Sequence, residues 1–238
     1  MSRFVISMAY RDFQRLAQKK INVFFIPPYL HFPDANIIPC KPASKTALVI
    51  LGHLAFSAAG CGTEMFLQTA AVKIKEAVPS AVIKIIGKDA SPLVISKCTQ
   101  LGIFYKEYVE DAEELWNETA VVASPLLVSK GIRIRILEAA RRGIPVVCTE
   151  HSATGFYKPE EFLRVTNDFN LFADYCIELL TDVDKYKIEQ QRINEYFKRN
   201  LSEERIRYRW EQVFSLDTFC DFTSNNHHKN VKALLPIS

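Results

Sequence analysis

The chain has 238 residues, 48% hydrophobic and 24% charged, with a net charge of +3. That length holds one large domain or one and a half small ones, and the composition is that of a chain with a buried core. So small and dispersed a basic excess argues against nucleic acid as the partner, and no apolar run approaches the roughly 20 residues that span a bilayer.

Residues 1–7 are a short apolar piece that reads as a strand and not as a signal peptide. A helix follows, with Tyr10, Phe13, Leu16 and Ala17 on one side and Arg11, Gln14, Lys19 and Lys20 on the other. The run INVFFIP is a strand closed by Pro27 and Pro28, and from there to Ser44 five prolines and little periodicity read as a linker. A unit that starts in mid-pattern and runs straight into a linker has the look of the tail of a domain.

Beyond the linker, strands and helices alternate. ALVIL (47–51) is a continuous apolar strand, followed by a helix over about 63–77. AVIKIIG (81–87) is the next strand, and Pro92 opens a helix that runs to Leu101. IFY is a short strand, EDAEELWN a short amphipathic helix, and TAVVAS a further strand. The stretch from Ser124 to Cys148, SPLLVSKGIRIRILEAARRGIPVVC, then gives a basic loop with Gly131, a helix with Ile132, Ile136, Ala139 and Ala140 on one face, and the buried strand IPVVC. Gly143 falls where that helix ends. FLRV (162–165) is a weak strand, three helical segments cover about 168–180, 183–198 and 202–214, and residues 217–238 read as a loosely ordered tail. His227 and His228 in the tail read as solvated side chains and not as a metal site.

Nearly all-apolar strands alternating with helices make an α/β protein with a doubly wound parallel sheet of about six strands and helices on both faces. Ligands of such sheets bind in the crevice at the carboxyl ends of the strands. Lys130, Gly131 and Arg133 lie where an anion would meet free N–H groups at a helix start. Six cysteines (Cys40, Cys61, Cys98, Cys148, Cys176 and Cys220) form no CxxC pair and read as reduced thiols of a cytoplasmic protein.

The order GHLAF, AVPSAVIKIIGKDAS and GIFYKEYVEDAEELWNETAVVASPLLVSKGIRIRILEAARRGIPVVCTEHSATGF resembles the carboxyl-terminal half of a glycosyltransferase family 4 (group 1) enzyme of the GT-B type, over about Ala47 to Phe214. KGIRIRILEAARRGIPVV is its most specific element, and SMAYRDFQRLAQKKINVFFIPP resembles the end of such an enzyme's first half. The resemblance implies a Rossmann-like GT-B carboxyl-terminal domain at 45–216, a remnant of the acceptor domain plus interdomain linker at 1–44, and a tail at 217–238, the rest of the first GT-B domain being missing.

What the resemblance implies for function is a site for a nucleotide-diphosphate sugar, with Glu138 accepting hydrogen bonds from the donor ribose. Its apolar neighbours Leu137 and Ala139 set it near a buried surface; a solvated helix carboxylate is the plain alternative. Gly131 and Ile132 offer N–H groups to the pyrophosphate, Arg133 clamps it, and Lys130, Gly52 and His53 approach it, although Lys130 also reads as a solvated loop lysine. Lys88, Tyr108 and Val109 fall where the nucleobase packs, and His151 falls near the donor sugar or on a surface turn. No catalytic residue and no metal is implied. The family's first glutamate is replaced by Lys130, and the loop HLAFSAAGCG lacks the family's Arg and Lys.

The reading that follows is a retaining transferase that moves a hexose from a UDP- or GDP-sugar to an acceptor in polysaccharide or glycolipid synthesis. This chain would be its donor-binding half, cytoplasmic or peripheral to the inner face of the membrane, either with the acceptor domain on a separate chain or as a truncated enzyme. The alternative is a non-catalytic, degenerate nucleotide-sugar-binding module that binds a partner through exposed apolar surface, for which Ile37, Ile38 and the helix around Phe13 are candidates. A sugar-nucleotide epimerase is disfavoured, since Glu150 and His151 alone are thin acid–base support.

Overall fold

The computed structural model describes residues 4–29, 46–51, 54, 57–128 and 131–222, with 46–51, 57–60 and 216–222 described by their backbone alone. The chain opens with strand β1 (Val5–Ser7), helix α1 (Tyr10–Gln18) and strand β2 (Val23–Phe25), the two strands pairing in parallel. Phe13 of α1 covers one face of the pair, packed with Val23 and Phe25, so it is core and not the exposed apolar surface expected of it. Ile37 and Ile38 lie outside the described residues.

The larger sheet begins at β3 (Thr46–Leu51), and the helix after it runs as α2 (Ser57–Met65), a π-helical turn (Phe66–Ala70) and α3 (Ala71–Ala77). It therefore starts several residues before the expected 63. SAAGCG, with two glycines, lacks a local helix signal, yet its backbone is helical. Next come β4 (Val82–Ile86), α4 (Pro92–Gln100), β5 (Phe104–Lys106), α5 (Ala112–Glu118), β6 (Val121–Ser124) and α6 (Ile134–Arg141). The chain continues through β7 (Val146–Cys148), α7 (Glu150–Ala153), β8 (Arg164–Val165), α8 (Phe169–Thr181), α9 (Val183–Asn200) and α10 (Glu203–Phe222).

Short polar caps start these helices. Ser91 Oγ accepts from Val94 N at 3.2 Å, and Asp111 Oδ1 accepts from the N–H groups of Glu113 and Glu114 at 2.8 and 3.1 Å. Asp168 and Asp182 cap α8 and α9 in the same way. Each such cap contributes about 0.5–2 kcal/mol.

All six strands of the larger sheet are parallel, in the order β5–β4–β3–β6–β7–β8. Side chains alternate between its faces with a period of two. Ile83, Ile85, Val121, Ala123 and Val147 enter one core with Ile74, Val94, Phe172 and Cys176 of α3, α4 and α8. Val122, Val146 and Cys148 point the other way, against Trp116, Ile136, Tyr196 and Phe197 of α5, α6 and α9. Both faces are thus covered by helices, which is why the strands read as unbroken apolar runs. Burying each large apolar side chain stabilises this arrangement by roughly 1.5–3 kcal/mol.

At the β8 edge, Arg164 is sandwiched between carboxylates, its Nε 2.9 Å from Glu189 Oε1 and its Nη1 3.1 Å from Glu178 Oε2. Arg192 and Lys185 complete the network on Glu189 and Glu178. The β1–β2 unit docks on this body through α10, whose Ile206 and Val213 pack with Phe24 and Ile26. Tyr10 N donates to Gly155 O at 2.9 Å, and the Tyr10 ring meets Tyr157 edge-on at 5.0 Å.

Candidate functional site

The strand order reverses between β3 and β6, so connections leave these neighbours in opposite directions and open a crevice at their carboxyl ends. The loop from β6 to α6 forms one lip. Two glycines hold it by bare backbone contact. A Cβ on Gly62 of α2 would lie 1.9 Å from Pro125 O, and one on Gly155 would lie 2.5 Å from Ile132 Cα and 2.8 Å from Gly131 O. No real side chain tolerates such distances, so only glycine lets α2 and the segment after α7 press on this loop.

A buried hydroxyl cluster fixes the rest of the rim. Ser152 Oγ donates to Ser124 O at 2.8 Å and receives Ser124 Oγ at 3.0 Å, while Thr149 Oγ1 donates to Leu126 O. Thr149 and Ser152 are fully buried, so these bonds satisfy groups that would otherwise be costly to desolvate. They pin α7, which carries the partly buried His151, to the end of β6.

Helix α6 starts without a side-chain cap. Arg133 occupies the cap position with extended backbone (φ −91°, ψ 102°), and its side chain takes none of the opening N–H groups. Those groups carry the positive end of the helix dipole, and of them Ile136 N turns back to Arg133 O at 3.1 Å. Gly131, with φ +74°, and Ile132 lead into the cap. Arg133 is half-buried, and burial pulls its guanidinium pKa below the ordinary value, the mark of a cation held in a poorly solvated place.

One turn further, Glu138 lies between buried Leu137 and Ala139 with 15% of its side chain exposed. Its Oε2 accepts from Arg135 Nη1 at 2.7 Å. Arg135 in turn borders a cleft of about 550 Å³, whose other walls include Lys88, Tyr108, Val109, Leu115 and Trp116. Leu54 N donates to Lys88 O at 2.9 Å, tying the segment after β3 to that wall. The indole of Trp116 lies 5.2 Å from the Arg142 guanidinium, and Arg142 also pairs with Glu113.

The structure therefore brings Lys88, Tyr108 and Val109 to one cleft and links that cleft through Arg135 to Glu138. Gly131, Ile132 and Arg133 stand at the start of the same helix. Lys130, Gly52 and His53 lie outside the described residues. Sequence reasoning overlooked Arg135, although its spacing of three from Glu138 puts both on one helical face. It also overlooked Gly62 and Gly155, for which only the packed fold gives a signal. An acid-x-acid triplet, Asp182–Val183–Asp184, is present as well, and it serves as the cap of α9, Asp182 Oδ1 accepting from Asp184 N and Lys185 N at 3.0 Å. Among the described residues no cluster of three or more His, Cys, Asp or Glu could hold a metal ion, and no helix is long and apolar enough to cross a membrane.

This strand order, with a glycine-bearing loop running into an uncapped helix beside a cleft at the carboxyl edge, defines a Rossmann-like α/β protein. Residues 45–182, more than half of the sequence, match the family of glycosyl transferases group 1, and the chain belongs to that family. No curated protein matches it in sequence. Among solved structures, S. aureus TarM in complex with Fondaparinux, alpha-GlcNAc-glycerol and UDP is similar at a TM-score of 0.70 and 16% identity, over 89% of this chain and 44% of that one. Anabaena HepE, in complex with UDP and glucose, is similar at 0.66 and 14% identity, over 92% of this chain and 63% of that one. The C-terminal domain of the group 1 glycosyl transferase LpcC from Francisella tularensis is similar at 0.51 and 18% identity, over 66% of this chain and 86% of that one. At such identities the likeness is one of fold. The chain spans less than half of TarM and less than two thirds of HepE.

Proposed function

We propose that this chain is the donor-binding, carboxyl-terminal half of a retaining glycosyltransferase family 4 enzyme that moves a hexose from a nucleotide-diphosphate sugar to an acceptor. The observation that carries this reading is the cleft of about 550 Å³ at the carboxyl edge, joined through Arg135 and Glu138 to the uncapped start of α6. That volume is of the size that takes small-molecule ligands. The similarity to HepE with UDP and glucose, and to the isolated C-terminal domain of LpcC, supports it.

On this reading the base packs against Tyr108 and Val109 beside Lys88, Glu138 accepts from the ribose hydroxyls, and the diphosphate meets Arg133 and the N–H groups of Gly131 and Ile132. Lys130, Gly52 and His53 would approach the diphosphate from the adjoining loops, and His151 the sugar. As the bond to the sugar's anomeric carbon breaks, negative charge builds on the departing diphosphate. A fixed guanidinium and a helix start aimed at that charge stabilise the transition state without reorganising. The donor would be a UDP- or GDP-hexose, held without a metal. The acceptor would dock on a second domain, whose end and linker are residues 1–44, with 45–216 binding the donor and 217–238 as a tail. Closure of the two domains would then exclude water and align the reactants. A cytoplasmic place, at the inner face of the membrane, suits polysaccharide or glycolipid synthesis.

Lys130 stands where a carboxylate is common in the family, and this favours one other reading, a non-catalytic module that keeps the fold and has lost the chemistry. Thermal melting with UDP, GDP and ADP separates the two. A donor site raises the melting temperature with at least one of them in a concentration-dependent way. No shift with any of the three, together with self-association of the chain, would favour the module and refute the proposal.

A further inference from the structure

Glu138 is a mostly buried carboxylate flanked in sequence by the buried Leu137 and Ala139, and such a group needs a partner to stay charged. Among the described residues its partner is Arg135, whose Nη1 holds one oxygen, Oε2, at 2.7 Å. The second oxygen has no donor among the described residues. Arg135 itself is 56% exposed, reaches the pair from the rim of the cleft lined by Lys88 and Tyr108, and has four further N–H groups. A carboxylate that must accept from a sugar hydroxyl next to a bound diphosphate faces two difficulties. It can rotate out of line, and it is repelled by the phosphates. A guanidinium fixed on one oxygen removes both, since it locks the carboxylate plane and cancels its charge locally.

We infer that Arg135 is the positioning residue for Glu138, and that through it the site selects ribonucleotides over 2′-deoxyribonucleotides. This rests on the donor-site reading above and deepens it. Arg135 is itself exposed and outside the packed core, so replacing it removes no core packing; it does leave the mostly buried Glu138 unpaired and lowers stability, and the effect on the site is therefore read as the ratio of two ligands on one folded chain. Loss of the hydroxyl costs the wild-type chain the charge-assisted bond to Glu138, whereas a chain with a misaligned Glu138 has little of that bond to lose.

The test is calorimetric titration of the full chain with UDP and with 2′-deoxy-UDP, or the corresponding GDP pair if guanine is the preferred base. The wild-type chain is expected to prefer the ribonucleotide by about tenfold or more, the loss of one charge-assisted hydrogen bond. Arg135→Ala should collapse that preference to less than about threefold in a chain that still unfolds cooperatively, at a somewhat lower temperature because Glu138 loses its partner, and Arg135→Lys, which restores a cation but not the planar fork, should recover part of it. If Arg135→Ala keeps the wild-type preference, the inference fails while the donor site stands. If it weakens both nucleotides equally, Arg135 is a phosphate contact and the positioning role is overturned. If the wild-type chain binds none of these nucleotides, the donor-site reading falls and the inference with it.

Discussion

Gly155→Ala puts the most specific strain on the proposed site, because the new methyl group would enter the loop between β6 and α6. Its carbon would lie 2.5 Å from Ile132 Cα, 2.8 Å from Gly131 O and 2.9 Å from Ile132 N, all backbone atoms with no flexible side chain to yield. Relief requires the loop to shift by most of an ångström, away from a segment that is itself anchored by the hydrogen bond from Tyr10 N to Gly155 O. Overpacking of this kind costs about 1–3 kcal/mol. In a chain of this size the melting temperature falls by about 2–4 °C for each kcal/mol, so a loss of about 2–12 °C is expected. The same displacement moves the N–H groups of Gly131 and Ile132, and nucleoside diphosphate affinity should drop by about tenfold, the value of one hydrogen bond to a charged group. Asp182→Ala supplies the control. It removes the cap of α9 at about 1 kcal/mol, near Tyr186, whose hydroxyl bonds Ala120 O just ahead of β6, at the opposite edge of the sheet. That variant should melt lower and bind nucleotide as the wild type does. A Gly155→Ala chain that melts and binds like the wild type would refute the claim that bare backbone contact holds the loop.

Other outcomes follow from the same geometry. Arg133→Ala should weaken nucleoside diphosphate binding by roughly 1–3 kcal/mol in calorimetry; unchanged affinity would remove Arg133 from the site. Burial alone would raise the Glu178 carboxyl, but hydrogen bonds from Lys185 and Arg164 outweigh it and hold it below its ordinary value of 4.5. A group lowered in this way stabilises the fold fully above its unfolded value and loses that contribution as pH falls through its folded one. Denaturant unfolding should therefore find Glu178→Gln less stable than the wild type at neutral pH, with the gap closing only below pH 4.5. A gap that persists into strong acid would contradict this. Cys61 is exposed, whereas Cys98, Cys148 and Cys176 are buried, burial pushing the Cys98 thiol up to about 11 and raising the other two well above the ordinary value. Peptide mapping after brief native alkylation should find Cys61 labelled and those three protected until the chain unfolds.

The central strands of the larger sheet were legible because both of its faces are buried there, so Val121–Ser124 and Val146–Cys148 carry no polar alternation to mistake. Helix starts at Asp111, Asp168 and Asp182 were marked by their caps. The start of α2 was not legible. Gly62 has poor intrinsic helix propensity, and the reason a glycine stands there lies on Pro125, more than sixty residues away. The candidate site divides in the same manner. Arg133 stands out beside one glycine at a helix start, Glu138 was picked through the resemblance to the family, and Arg135 was within reach of helical spacing from it. Gly155 and the Ser124–Thr149–Ser152 cluster act across the crevice, through contacts that no local window contains. The burial of Phe13 was missed for a like reason: α1 looks exposed only if the β1–β2 pair beneath it is left out.

The central claim is that one crevice grips a nucleoside diphosphate from base to phosphates, and a crystal structure of the chain with UDP or GDP bound tests it most directly. The account predicts the base between Tyr108 and Lys88, a ribose hydroxyl within hydrogen-bond distance of Glu138, and the diphosphate against Arg133 at the start of α6. A nucleotide seated elsewhere, or phosphates remote from Arg133 with Glu138 untouched, would contradict it.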